Sequence, residues 1–124
     1  MADVLIVEDD EKTRQSFCLV MKRLGHSVRA ATSFSTAQTE ISRCPPDLVL
    51  TDWNLSLNED CDGSGIDIAK YSLTNHPYTA VVMITGNNID ELKLLTHSLP
   101  ITAYVKKPVD LTSFRAILND VLEP

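Results

Sequence analysis

Apolar and polar positions along this chain follow two alternating rhythms. Short runs of consecutive apolar residues are each followed by a stretch in which apolar residues recur every three or four positions. Val4-Leu5-Ile6-Val7 is apolar throughout, which predicts a strand covered on both faces. Phe17, Val20, Met21 and Leu24 then mark one face of a helix, which Gly25 can close in the left-handed conformation. Ser27 to Ala31 predicts a weaker strand. Arg29 in its middle suits a sheet edge. Phe34, Ala37 and Ile41 mark a second helix, ended by Pro45-Pro46. Leu48-Val49-Leu50-Thr51 predicts a third strand, and a polar loop runs from Ser56 to Gly63. Ile66, Ala69 and Leu73 mark a helix that stops near Pro77, and Ala80 to Ile84 a fourth strand. Asn88 with Glu91 reads as a capping box for a helix carrying Leu92 and Leu95. Ile101 to Val105 predicts a fifth strand. Asp110 can cap a last helix with Leu111, Phe114, Leu118 and Val121 on one face.

Five strands and five helices in strict alternation predict an α/β fold, with helices on both faces of a parallel sheet joined by right-handed crossovers. The expected arrangement is flavodoxin-like and doubly wound, in strand order 2-1-3-4-5. A length of 124 residues suits one domain spanning 1–124, with no output domain in this chain. No apolar run approaches the roughly 18 residues of a membrane span, and the start lacks a signal-peptide pattern. The cysteines Cys18, Cys44 and Cys61 form no tight pair, which argues against a disulfide framework or a CxxC zinc site. Cys18 lies in a helical apolar pattern and reads as a small buried hydrophobe. These features point to the cytoplasm. The net charge of −6 disfavours direct nucleic-acid binding.

Ligands of open parallel sheets bind beyond the carboxyl ends of the strands, where the strand order reverses. Glu8, Asp9 and Asp10 follow the first strand, and Asp52 follows the third. Thr85-Gly86 follows the fourth, and Lys106-Lys107-Pro108 the fifth. Asp10 is most simply a helix cap, and Glu8 and Asp9 could be acids favoured by the helix dipole. That explanation does not reach Asp52, a carboxylate ending an apolar run at the neighbouring strand. Carboxylates at close range repel, and one takes up a proton unless a cation intervenes. A divalent cation together with Lys107 would neutralise Glu8, Asp9 and Asp52. Oxygen ligands favour a hard cation such as Mg²⁺. A carboxylate beside such a cation, an ammonium and a hydroxyl is equipped to attack a phosphoryl group.

The ordered stretches Val4 to Asp10, Pro46 to Trp53, Val81 to Gly86 and Ala103 to Pro108 resemble the receiver domain of two-component response regulators. The resemblance covers essentially the whole chain. It implies that Asp52 is the phospho-acceptor, receiving a phosphoryl group from a sensor histidine kinase or histidine phosphotransferase. It implies that Glu8, Asp9 and Asp52 hold Mg²⁺ (or Mn²⁺), with Asn54 supplying its backbone carbonyl. Thr85 is then the switch hydroxyl, and Lys107 the lysine before proline, with Lys106 as its rival. Tyr104 is the switch aromatic, coupling the site to the face of the fourth helix, fifth strand and fifth helix. It can equally be read as a half-buried tyrosine at a sheet edge. Such a protein promotes its own phosphorylation and dephosphorylation but works as a signalling switch rather than a turnover enzyme.

The chain departs from the family pattern in its loop Ser56 to Gly65, which is long and acidic. Asn58, Asp60, Asp62 and Gly63 mimic the start of an EF-hand loop, but the twelfth position is Ala69, so the bidentate glutamate is missing. Leu99-Pro100 stands where the family often has small residues before the fifth strand. Three rival readings meet specific obstacles in the sequence. A haloacid-dehalogenase phosphatase wants an Asp where this chain has Asn54, and a flavin module wants a phosphate-cradling loop where it has Glu8-Asp9-Asp10-Glu11. A degenerate receiver, acting only as an adaptor, is argued against by the complete set Glu8, Asp9, Asp52, Thr85 and Lys107.

Overall fold

The computed structural model describes residues 2–52, 65–86, 89–107 and 111–122. Its strands are β1 (Asp3–Val7), β2 (Ser27–Ala31), β3 (Leu48–Asp52), β4 (Ala80–Thr85) and β5 (Ala103–Lys106). Its helices are α1 (Glu11–Arg23), α2 (Phe34–Arg43), α3 (Gly65–Asn75), α4 (Ile89–Leu95) and α5 (Leu111–Leu122). All strand pairs are parallel and the order is β2-β1-β3-β4-β5, as the alternation predicts.

The sheet divides the core in two. Leu5, Val7, Val49, Val81 and Met83 face Ala37, Ile41, Ile68, Ala69 and Leu92, from α2, α3 and α4. Val4, Ile6, Leu48, Leu50, Val82, Ile84 and Val105 face Phe17, Met21, Phe114 and Leu118, from α1 and α5. Successive residues of one strand serve opposite layers, so the central strands carry no polar face. Placing Asp52 last in β3 therefore puts a carboxylate where the apolar run ends and the loops begin.

The edge position of β2 suits Arg29. Its guanidinium reaches Asp3 on β1 at 3.0 Å, Glu40 on α2 at 3.1 Å and the Cys44 carbonyl oxygen at 2.6 Å. The end of α1 is closed by Gly25 at φ +92°, with its N–H donating to the Lys22 carbonyl and that of His26 to the Met21 carbonyl. Asp10 caps α1, its Oδ2 accepting from the Thr13 N–H at 2.9 Å and the Thr13 hydroxyl at 2.6 Å. A capping box of Ser33 and Thr36 opens α2.

The third, fourth and fifth strands each run one residue past the apolar stretch that predicts them, to Asp52, Thr85 and Lys106, because backbone pairing with the neighbouring strand continues past the last apolar side chain. Three further expectations need correction. The fifth strand begins at Ala103 rather than Ile101, because the Ile101 N–H turns back to the Leu99 carbonyl and pairing with β4 starts at Val82–Ala103. The buried stripe of α3 runs through Gly65, Ile68, Ala69 and Ser72, and Ile66 and Leu73 flank it half-buried. Cys18 is half-buried rather than fully enclosed, and that burial raises its thiol pKa. The expected caps Asn88 and Asp110 lie outside the described residues, as do the acidic loop, Cys61 and Asn54. No helix among the described residues is long and apolar enough to cross a membrane.

Candidate functional site

Register brings the acids together. Val7 on β1 pairs with Thr51 on β3, so Glu8 and Asp52 stand one residue further along adjacent strands. The Glu8 N–H donates to the Ala31 carbonyl at 3.1 Å, carrying the β1–β2 pairing one bond past the strand. Asp9 follows at the exposed mouth. One carboxylate oxygen from each of Glu8, Asp9 and Asp52 lies within 4.8 Å of the other two. Glu8 is only 2% exposed and Asp52 8%, so two of these charges sit largely out of water.

Lys107 arrives from the other side, just past β5. Its Nζ lies 3.1 Å from Asp52 Oδ2 and 3.5 Å from Glu8 Oε1. Its backbone N–H donates to the Thr85 carbonyl at 2.7 Å, which ties the lysine's position to the end of β4. Lys106 pairs with Thr85 in the sheet and its side chain is exposed. The structure thus turns Lys107, not Lys106, toward the acids.

The electrostatics follow from burial. Desolvation pushes the Glu8 pKa up to about 8, and hydrogen bonding to Asp52 and its charge push the same way; Lys107 opposes them. Glu8 Oε2 is buried with no hydrogen-bond partner. The Asp9 pKa is also raised, first by burial. Burial works to lower the Lys107 pKa, but its pairing with Asp52 and Glu8 outweighs that and raises it. One ammonium therefore leaves the three carboxylates short of cationic charge. A buried oxygen without a donor, an all-oxygen donor set and a surplus of negative charge are what a hard divalent cation requires, so the residues present fit Mg²⁺.

Thr85 ends β4 next to Ile84, which registers with Asp52, and Thr85 is buried. Strand alternation puts it on the layer of Val81 and Met83. Tyr104, opposite Met83, is half-buried against that same layer. The Tyr104 hydroxyl lies 2.6 Å from Thr96 Oγ1. Thr96 Oγ1 is itself 2.9 Å from the Leu92 carbonyl, which accepts its single proton, so Tyr104 is the donor to Thr96. Lys93 Nζ sits 5.7 Å from the centre of the Tyr104 ring.

Two residues with a part in this geometry escape a reading by motif. Arg14 on α1 donates to the Glu8 carbonyl at 3.1 Å and contacts the Asp9 carbonyl at 3.5 Å. Its only signal in the sequence is a basic residue one turn after the cap Asp10. Thr96 shows itself only as a polar residue four positions after the buried Leu92.

Residues 4–119 match the family described as the response regulator receiver domain. Among curated proteins, the chain is 31% identical over 118 residues to the response regulator protein PilR of Pseudomonas aeruginosa, covering 95% of this chain and 25% of that protein. It is 29% identical over 109 residues to the phosphate regulon transcriptional regulatory protein PhoB of Escherichia coli, covering 85% of this chain and 44% of that protein. The chain thus spans between a quarter and a half of these relatives. Among solved structures, the chemotaxis protein CheY4 of Vibrio cholerae superposes with a TM-score of 0.86 at 23% identity, covering 98% of both chains, which shows the shared fold.

Proposed function

Because the chain belongs to the family of response regulator receiver domains, we propose that it is one receiver domain that accepts a phosphoryl group on Asp52 in a Mg²⁺-dependent reaction. The donor is the phosphohistidine of a sensor histidine kinase or a histidine phosphotransferase. The observation that carries this reading is the nearly buried Asp52 carboxylate, paired with Lys107 at 3.1 Å and clustered with Glu8 and Asp9.

Each residue has a chemical task. One Asp52 oxygen attacks phosphorus, a P–O bond forms, the P–N bond of the donor breaks, and the imidazole leaves with the electron pair. Glu8, Asp9 and Asp52 would hold Mg²⁺, with Asn54 lending its backbone carbonyl. When bound, the ion supplies positive charge for the phosphoryl oxygens and offsets the repulsion among the acids. Lys107 pairs with Asp52 before transfer and with a phosphoryl oxygen after it. Thr85 offers a hydroxyl to another phosphoryl oxygen.

Phosphorylation takes Asp52 from one negative charge to roughly two and adds acceptor oxygens. Thr85 and Lys107 then have a partner present in only one state, and that difference biases any element with two packings. Tyr104 shares the Thr85 layer and touches Thr96 beyond α4, so it is the route by which the bias reaches the α4–β5–α5 face. That face engages a downstream protein partner, in the cytoplasm. The chain is a switch that takes part in its own phosphorylation, not a turnover enzyme.

Mass spectrometry after incubation with acetyl phosphate and MgCl₂ tests the assignment. The wild type gains one phosphoryl group, and Asp52→Asn or chelation of the metal abolishes the gain. Equal labelling of wild type and Asp52→Asn, or labelling of neither, overturns it.

A further inference from the structure

The segment Glu8-Asp9-Asp10 after β1 is held on three sides. Ala31 at the end of β2 accepts from the Glu8 N–H at 3.1 Å, and the Asp10 side chain is bound by Thr13. The third hold is Arg14, whose Nη1 donates to the Glu8 carbonyl at 3.1 Å and lies 3.5 Å from that of Asp9. One guanidinium thus grips the peptide units from which two of the three clustered carboxylates hang.

We propose that Arg14 is a positioning residue for the divalent cation, fixing the backbone of Glu8 and Asp9 so that their carboxylates converge with Asp52. The inference rests on the Mg²⁺ reading above and adds a residue to it. The physical argument is the cost of ordering. Flexible acids that repel one another spread apart, and a cation must then gather them at the expense of its own binding free energy. A charge-assisted bond to the main chain, made before the cation arrives, removes that cost. Arg14 suits this task better than it suits holding the fold. The Asp9 contact is exposed and the Glu8 contact only part-buried, so water can replace both bonds in the metal-free protein. Both contacts come from Nη1, whose N–H directions the rigid guanidinium fixes; a lysine at this position keeps the charge on a freely rotating ammonium and restores only part of the hold.

Calorimetric titration of the whole chain with MgCl₂ tests this, comparing wild type, Arg14→Gln and Arg14→Lys. Loss of such a support typically weakens metal binding by about 10-fold to 100-fold, and Arg14→Gln should fall in that range with Arg14→Lys between it and wild type. Thermal unfolding in EDTA should give Arg14→Gln the wild-type midpoint. Acetyl phosphate labelling of Arg14→Gln should return to the wild-type level once MgCl₂ saturates. Three results overturn the role of Arg14 while leaving the Mg²⁺ reading intact. They are a wild-type Mg²⁺ affinity in Arg14→Gln, a metal-free midpoint that falls with the affinity, and labelling that stays low at saturating MgCl₂. A wild type that binds no Mg²⁺ overturns the reading itself, and the role of Arg14 with it.

Discussion

Glu8 faces a conflict that burial creates and a proton resolves. Its carboxyl is nearly out of water beside Asp52, and its pKa is pushed up to about 8 from an ordinary value of 4.5. In the unfolded chain it ionises near 4.5, whereas in the folded, metal-free chain it keeps its proton to about pH 8. The folded state binds more protons across that window, so its stability is fully present below about pH 4.5 and is lost as pH rises through 8. Asp9 shifts the same way. The thermal unfolding midpoint in EDTA should therefore fall between pH 5 and 8.5. Glu8→Gln should flatten much of that fall, and MgCl₂ should oppose it by binding the ionised form. A midpoint with the same pH slope in Glu8→Gln would show that another group carries the dependence. Glu8 was legible in the sequence as an acid after an apolar run. Its burial was not, because that depends on Asp52 and Lys107, residues 44 and 99 positions away.

At the scale of elements, α1 offers a clean test of local rules. Gly25 sits at φ +92°, and a Cβ built there meets nothing within 4 Å. The cost of Gly25→Ala is therefore conformational alone, about 1 kcal/mol, and Gly25→Asn should cost less because Asn tolerates the left-handed region. Urea unfolding should show a lower midpoint for the alanine variant with an unchanged slope. A loss well beyond that size would mean that packing is involved. Helix periodicity and this stop signal were legible because they act within one turn of chain. The start of β5 and the centre of the α3 stripe were not. The first depends on where β4 offers a partner, and the second on which neighbours cover the helix.

At the scale of the whole molecule, Lys107 ties the ends of four strands. It bridges from β5 to Asp52 on β3 and to Glu8 after β1, and its backbone is bonded to β4 through Thr85. The two lysines at 106 and 107 are equivalent by charge, but the sheet turns one to solvent and the other to the acids. Lys107→Ala should slow acetyl phosphate labelling of Asp52 by about 10²-fold, the scale of losing one preorganised charge-stabilising donor. Lys106→Ala should stay close to wild type. Labelling rates followed by mass spectrometry check this, and comparable defects in both variants would remove the distinction.

The alternation of buried runs and amphipathic stretches determined the class of fold and, to within a residue or two, where each strand ends, because burial on both faces of a parallel sheet leaves its mark residue by residue. Asp52 was visible for the same reason, since a carboxylate closing the β3 run has no local use, and it singled out Glu8 and Asp9 at the neighbouring strand end. Tertiary structure decided how these ends meet. It set the 3.1 Å pairing of Lys107 with Asp52, the raised Glu8 pKa, the grip of Arg14 on the Glu8 and Asp9 carbonyls and the Tyr104–Thr96 bond. Each of these depends on distance and exclusion of water between residues on different elements, and neither quantity exists until the sheet and its helices have packed.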